Sequence, residues 1–216
     1  MAYENGKIII KVKNPKQKAD GDKPLSGLNI IVDAGHGGTD TGALGFLGTK
    51  GKNEKDFNLD IALVLKEKLI NLGANVMMTR ETDATVDIYY RMDMLNEINP
   101  DLCISVHHNS LADARDLSLV RGLLGLYCDD SGRLIAKSVS ASLASELSRL
   151  ERKVSYQMLA MLRNHKFAAT LIEVSFISNP AEFDFTMNPV NIDKSAEGIA
   201  KGVIKWLDNQ AKFIIE

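Results

Sequence analysis

Four side chains that can bind a metal or carry a proton stand in unusual positions in this sequence, namely His36, Glu54, His107 and Glu173. His36 follows the apolar run IIVD and lies among glycines, which let the backbone turn sharply and bring an imidazole close to other groups. Taken alone, His36 fits an ordinary turn histidine. A phosphate-binding loop is excluded because no Gly-Lys-Ser/Thr follows the glycines.

Glu54 lies three residues before Phe57 and seven before Ile61, on the apolar stripe of a predicted helix. We expect this stripe to face the sheet, where a carboxylate is costly unless it is paired or bound to a metal. Its position in the first helical turn offsets part of that cost through the helix dipole. A helix N-terminal carboxylate that stays in water explains Glu54 equally well when it is considered alone.

His107 and His108 end the apolar strand LCISVHH. Side chains alternate between the two faces of a strand, so Cys103, Ser105 and His107 share one face and His108 lies on the other. Only one of the two histidines can therefore reach a given site. A buried histidine with a satisfied hydrogen bond is the alternative role.

Glu173 stands inside ATLIEVSFI, which we predict to be a central strand covered on both faces. An unpaired ionised carboxylate there is costly, so Glu173 needs a partner or a raised pKa. A structural ion pair with Arg80 or Arg163 is one explanation. A functional role is the favoured one.

The residue types fit metal-assisted hydrolysis of an amide. Two histidines and one carboxylate with an open fourth position form a common catalytic zinc site. A further glutamate beside the attacking water acts first as a base and then as an acid. The HExxH pattern of thermolysin-like enzymes is absent.

Strands and helices alternate from residue 28 onward, which predicts an α/β fold with a largely parallel twisted sheet of about six strands and helices on both faces. The apolar runs LNIIVD, NVMMTR, DLCISVHH, RGLLGLYC and ATLIEVSFIS are the predicted strands, with RGLLGLYC near an edge. The principal predicted helices cover residues 53–72, 87–99, 131–150 and 192–207. In such sheets the working residues lie beyond the carboxyl ends of the strands.

The N-terminal segment differs in composition from the rest of the chain. It is rich in lysine and contains two prolines, which is typical of a linker. We predict that residues 1–26 are a linker or the tail of an upstream module, and that residues 27–216 form the catalytic domain. The alternative is that GKIIIKV is an edge strand of the main domain.

Composition narrows the possible partners and location. The net charge of −2 gives no sign of nucleic-acid binding, and no apolar run is long enough to span a membrane. No secretory signal opens the sequence, so we expect either a cytosolic protein or an exported one whose targeting segment is absent. Cys103 and Cys128 lie in apolar runs, which favours buried thiols, with a single disulfide as the alternative.

Several segments together resemble the zinc-dependent N-acetylmuramoyl-L-alanine amidases, the Amidase_3 family. They are, in order, IVDAGHGGTDTGA, NEKDFNLDIA, TRETD, Arg91 and Asn96 of the next helix, DLCISVHHNS and TLIEVSFISNP. They cover residues 28–207. The sequence departs from the family pattern at His108, where a small residue is usual, and in KFAATLIE, where a proline often precedes the catalytic strand.

The resemblance implies that His36, Glu54 and His107 bind Zn2+ and that Glu173 is the catalytic glutamate. It implies cleavage of peptidoglycan between the lactyl group of N-acetylmuramic acid and L-alanine of the stem peptide, at an extracellular, wall-facing location. The alternatives are a zinc peptidase acting within the stem peptide and a wall-binding module without catalysis.

Some members of this family carry an extra helix that plugs the zinc. Between His107 and Glu173 the predicted elements leave no room for a second long helix. We therefore expect an open site in a monomer, with control through localisation by an upstream wall-binding module.

Overall fold

The computed structural model describes residues 16–111, 116–164 and 166–213, together with the backbone of two short strands near the N terminus. These are β1 (Ala2–Glu4) and β2 (Lys7–Ile9), which pair with each other in an antiparallel register. Neither belongs to the large sheet, so the described part of GKIIIKV is not an edge strand of the main domain. Residues 10–15 of the predicted linker lie outside the described residues.

The segment that follows packs against the main domain. Leu25 is completely buried in the largest hydrophobic cluster, and its backbone N–H donates to the carbonyl of Leu72 at 3.0 Å. Lys18 forms an exposed ion pair with Asp208 at 2.6 Å. The core of the domain therefore includes side chains that precede its first long strand.

The main sheet has six strands in the order β4-β3-β5-β8-β6-β7. The strands β4, β3, β5 and β8 are parallel to one another, whereas β6 is antiparallel to β8 and parallel to the outer strand β7. This arrangement confirms the predicted α/β fold with a largely parallel sheet. The strand bounds are β3 (Asn29–Ala34), β4 (Asn75–Met78), β5 (Leu102–Asn109), β6 (Leu124–Tyr127), β7 (Ser155–Tyr156) and β8 (Ala168–Phe176).

Helices pack on both faces of the sheet, as predicted. One face meets α1 (Glu54–Asn71), α3 (Asp130–Leu147) and α5 (Pro189–Phe213), and the apolar stripes of these helices form the largest core cluster. The other face meets α2 (Ile88–Ile98) and a turn at residues 160–162, which close a smaller cluster. A short helix, α4 (Pro180–Met187), follows β8. The apolar spacing along each helix therefore decides which side of the helix faces the sheet.

Two further expectations can be compared with the fold. Cys103 and Cys128 are buried free thiols, as favoured, and burial raises the pKa of Cys103 well above its ordinary value. No helix in the described part of the chain is long and apolar enough to cross a membrane.

Candidate metal centre

Three of the four candidate residues converge at the carboxyl edge of the sheet. His36 follows β3, Glu54 begins α1, and His107 lies near the end of β5. Each offers one ligand atom, and these atoms all lie within 4.8 Å of one another. His36 Nε2 is 3.2 Å from Glu54 Oε2, and His107 Nδ1 is 2.8 Å from Glu54 Oε1. The carboxylate of Glu54 therefore lies between the two imidazoles.

Two buried arginines hold the loop that carries His36. Arg91 donates to the backbone carbonyls of Ala34 at 2.8 Å and His36 at 2.6 Å. Arg80 donates to the carbonyls of Ala34 at 2.9 Å and Gly35 at 3.0 Å. His36 has a φ of 61°, in the left-handed region that residues with a side chain rarely adopt. The arginines therefore stabilise an unfavourable turn that directs this imidazole into the site.

Asp33 neutralises the charge of Arg91, which binds the loop that carries His36. Its Oδ1 accepts from Arg91 at 2.5 Å and from Thr79 at 2.6 Å, and its Oδ2 accepts from Ser105 at 2.5 Å. Burial alone would raise the pKa of Asp33, but the charge of Arg91 and these hydrogen bonds hold it below its ordinary value. The pair stays ionised beneath the site, where an unpaired charge would be costly.

The segment after β4 clamps the other side of the glycine-rich loop. Asp83 accepts from the backbone N–H of Gly38 at 2.7 Å and pairs with Lys55 at 2.6 Å. Thr85 Oγ1 accepts from the backbone N–H of Thr39 at 2.9 Å. Gly38 has a φ of 58°, and a Cβ there would collide with Thr85. The segment 79–85 therefore fixes the shape of the loop.

His36 contacts carboxylates through both ring nitrogens. Its Nδ1 lies 2.8 Å from Asp40 Oδ2, on the side away from Glu54. Burial would lower the pKa of His36, but the hydrogen bond and charge of Glu54, joined by those of Asp40, raise it to about 9. A carboxylate on the second nitrogen of a ligand histidine fixes its tautomer and ring orientation. Asp40 is placed to do this for His36.

Glu54 is almost completely buried, although it stands at the start of a helix. Burial would raise the pKa of Glu54, but hydrogen bonds and charge from His107 and His36 hold it far below its ordinary value. Backbone N–H groups of Ala43 at 2.8 Å and His108 at 3.2 Å also donate to its carboxylate. The alternative that Glu54 remains in water is therefore wrong.

His107 and His108 lie on opposite faces of β5, as the alternation predicts. His108 is 1% exposed, and its Nδ1 lies 2.8 Å from Asn58 Oδ1. Because Asn58 Nδ2 donates to the carbonyl of Gly35 at 3.1 Å, its Oδ1 faces His108, whose Nδ1 must carry the proton. Burial lowers the pKa of His108 to about 3, which keeps the ring neutral. The ring of His108 therefore contacts Asn58, and only its backbone N–H reaches the carboxylate of Glu54.

Glu173 lies across from His107 in the parallel pairing of β5 with β8, so both side chains leave the same face of the sheet. Its Oε2 is buried and has no hydrogen-bond partner among the described residues. Burial, with a contribution from Glu54, raises the pKa of Glu173 to about 7, although His107 acts in the opposite direction. Neither Arg80 nor Arg163 pairs with Glu173 in the described part of the chain, so the structural ion pair is wrong.

The sequence reasoning missed the residues that support the ligands. Asp33 and Asn58 are fully or almost fully buried polar side chains inside apolar stretches, IIVD and FNLDIAL. A polar residue inside an apolar stretch is the same pattern that marked Glu173 as a candidate. Arg91 appeared only as part of the family resemblance, because an arginine on a short helix is ordinary in a sequence.

A largely parallel α/β sheet that carries two histidines and a glutamate at its carboxyl edge, with a second glutamate on the neighbouring strand, has the fold and the potential metal-binding group of a metal-assisted hydrolase. Residues 30–205 match the family model described as N-acetylmuramoyl-L-alanine amidase. The chain belongs to this family.

Related proteins are similar over most of the chain. The germination-specific N-acetylmuramoyl-L-alanine amidase of Bacillus subtilis is 32% identical over 85% of this chain and 81% of its own length. The probable cell wall amidase LytH of Staphylococcus aureus is 34% identical over 81% of this chain, which spans 55% of that protein. The CwlD amidase of Clostridioides difficile, solved in complex with the GerS lipoprotein, superposes with a TM-score of 0.78 at 27% identity, covering 84% of this chain and 98% of that one.

Proposed function

We propose that this protein is an N-acetylmuramoyl-L-alanine amidase that hydrolyses the amide between the lactyl group of N-acetylmuramic acid and L-alanine of the stem peptide. Family membership supports the reaction. The observation that carries it in this chain is the position of Glu173, directly across from His107 and beside the cluster of His36, Glu54 and His107. That arrangement supports a role for Glu173 as a base beside three groups that could bind a metal.

The donor set suits a zinc ion. Two imidazole nitrogens and one carboxylate leave a fourth tetrahedral position open, which is the composition of many catalytic zinc sites. The three ligand atoms all lie within 4.8 Å of one another. Small side-chain movements would bring them to bonding distance of one shared ion. His36, Glu54 and His107 would hold the metal. When bound, zinc supplies Lewis acidity that polarises an amide carbonyl and lowers the pKa of a water molecule.

Glu173 moves the proton. In the proposed reaction its carboxylate takes a proton from the attacking water as the new C–O bond forms at the lactyl carbonyl carbon. It then gives this proton to the alanine nitrogen as the C–N bond breaks. The products are a free lactyl carboxylate and a peptide with a free amino terminus. The buried Oε2, which has no hydrogen-bond partner in the described residues, is available for this transfer.

The surrounding network keeps these groups oriented. Asp40 holds the ring of His36, and Asn58 holds both the carbonyl of Gly35 and, at 3.5 Å, the carboxylate of Glu54. Outer hydrogen-bond partners of this kind position metal ligands and raise their basicity. The site is therefore largely formed before substrate binds.

We further propose an open site on a monomer that works outside the cell on the wall, brought there by an upstream wall-binding module. The name of LytH, a cell wall amidase, supports the location. In the described residues between β5 and β8, α3 is the single α-helix, and the metal-binding cluster includes no acidic group from this interval. This observation supports an accessible metal centre.

Digestion of purified peptidoglycan with Glu173→Gln tests the proposed reaction. Loss of a general base lowers the rate by about 10²–10⁴-fold, so we expect the variant to keep its bound zinc and circular dichroism spectrum while losing nearly all turnover. The control is Glu67→Gln, which changes an exposed glutamate of α1 and should be fully active.

Mass analysis of the digestion products separates the candidate reactions. An amidase releases peptides with amino-terminal alanine, together with glycan strands that carry free lactyl carboxylates. A peptidase acting within the stem would leave alanine attached to muramic acid and expose carboxylates within the peptide. Zinc content without any cleavage by the wild type would favour a binding module.

A further inference from the structure

Strand β8 contains an extra residue just beyond Glu173. His107 pairs with Glu173, but Asn109 pairs with Phe176, so two residues of β8 stand opposite one residue of β5. Val174 packs in the core cluster beneath α1, α3 and α5, and Ser175 hydrogen-bonds Thr186 of α4 at 2.8 Å. Both side chains therefore point to the face of the sheet that α1, α3 and α5 cover.

Because of this bulge, the side chain of Phe176 lies on the same face of the sheet as His107 and Glu173. Asn109 and His107 are two residues apart on β5 and share a face, so their partners Phe176 and Glu173 share that face as well. Ile177, on the other side of the chain, packs against Phe57 and Phe183. Without the bulge, the side chain of Phe176 would instead point to the face that α1, α3 and α5 cover.

Arg152 lies over this phenylalanine. Its guanidinium carbon is 5.3 Å from the centre of the Phe176 ring, and its NH1 donates to the carbonyl of Arg121 at 3.3 Å. Its backbone N–H donates to the carbonyl of Leu123 at 2.9 Å, which fixes the residue beside β6. The ring contact and the carbonyl orient the guanidinium, whose remaining N–H groups have no acceptor among the described residues.

Arg152 has no acidic partner in the part of the chain that the structure describes, and it is exposed. Its neighbour Arg149 differs, because that guanidinium pairs with the buried Glu182 and lies over Phe185. Arg121 adds a second exposed positive charge next to Arg152. The edge of the sheet beyond Glu173 is therefore positive and complementary to an anion.

We propose that Arg152 binds a carboxylate of the stem peptide on the leaving-group side of the scissile amide. This inference rests on the proposed amidase function. Phe176 stands two strand positions beyond Glu173, or about 7 Å at the usual rise per residue. An extended peptide covers about 3.3–3.6 Å per residue, so the α-carboxylate of the residue after L-alanine lies at a comparable distance from the cleaved bond. Arg152 would thereby favour stem peptides in which that carboxylate is free.

The test uses soluble muramyl pentapeptides that differ only at the second residue, D-glutamate in one and D-isoglutamine in the other. The second compound has a neutral carboxamide in place of the α-carboxylate. Because the ion pair would be exposed, we expect a kcat/KM preference of about fivefold for the carboxylate, arising mainly from KM. Arg152→Gln should abolish the preference by raising KM for the carboxylate peptide to the value for the carboxamide, and Arg152→Lys should retain part of it.

Arg133→Gln is the matched control. Arg133 is a partly exposed arginine at the start of α3, paired with Asp130 and located at the opposite end of the strands because β6 runs antiparallel to β8. This variant should keep the full preference. Equal use of both peptides by the wild type, or an unchanged preference in Arg152→Gln, would overturn the role of Arg152 while leaving the amidase activity established. Cleavage of neither peptide nor wall by the wild type would instead remove the proposed function and this inference with it.

Discussion

Glu173 and His107 are register partners on neighbouring parallel strands, and both side chains leave the same face of the sheet. The pairing brings a carboxylate whose buried Oε2 has no hydrogen-bond partner among the described residues to the edge of the candidate metal-binding cluster. Strand pairing fixes the separation of the two backbones, so the geometry does not depend on a flexible loop. The proposed base and one of the proposed metal ligands are thus positioned by the same sheet hydrogen bonds.

In the metal-free protein, Glu173→Gln should increase the free energy of unfolding above pH 7. Burial raises the pKa of Glu173 from 4.5 to about 7 in the folded state. Between these values the folded carboxyl is protonated while the unfolded one is ionised, so rising pH destabilises the wild type. The glutamine does not ionise. We expect its advantage to be absent near pH 4, to grow through this window, and to reach up to about 3 kcal/mol.

Urea titrations at several pH values, in the presence of a chelator, measure this difference. Glu67→Gln provides the control, since that exposed glutamate lies on the outer side of α1. A Glu173→Gln curve that stays parallel to the wild type from pH 4 to pH 8 would mean that Glu173 is not destabilised by burial.

Replacing His107 should remove metal binding, whereas replacing His108 should not. His107 is one of three clustered donors, while His108 faces Asn58 on the other side of β5. We expect His107→Ala to lose bound zinc on dialysis. His108→Ala should retain stoichiometric zinc, because the lost ring bonds Asn58 while the backbone N–H that donates to Glu54 is kept. Metal analysis and competition with a chromogenic chelator give both values, and the reverse pattern would show that His108 is the ligand.

Removing residues 1–24 should leave catalysis on soluble muramyl peptides unchanged. No described residue of this segment contributes to the site. The truncation removes two ion pairs, Lys18–Asp208 at 2.6 Å and Lys16–Asp101 at 3.5 Å, and because both lysines are largely exposed we expect each loss to change stability by about 1 kcal/mol or less. Leu25→Ala is the informative comparison, because this side chain is completely buried and its truncation costs about 2–5 kcal/mol. A well-folded protein that lacks residues 1–24 but has no activity would place a functional group in that segment.

The isolated chain should be active without an activator. Residues 112–115 lie outside the described part of the segment between β5 and β8, and the described residues of that segment contribute no acidic ligand to the metal-binding cluster. Turnover of soluble muramyl peptides should therefore change less than about twofold when a candidate activator is added, well below the 5–150-fold typical of allosteric coupling. A large activation, or a metal-bound structure with a carboxylate from residues 109–169 on the zinc, would contradict an open site.

The sequence by itself determined the fold class and the four candidate site residues. Apolar periodicity separated strands from helices, and a charged residue in an apolar strand or stripe marked Glu54 and Glu173 as unusual. Alternation along LCISVHH was enough to assign His107 and His108 to opposite faces, which the structure confirms. These inferences succeed because each depends on local periodicity, which a single segment carries completely.

Only the tertiary structure decided how these groups are supported. The contacts of Arg91 with the carbonyl of His36, and of Asn58 with Gly35 and His108, join segments far apart in the chain. The bulge that turns Phe176 toward Glu173 depends on the register between β5 and β8, and no feature of β8 alone specifies it. The two-residue strand β7 was missed for the same reason, since so short a strand exists only through its pairing with β6. Long-range contacts and strand register are properties of the packed chain, because they depend on which segments meet.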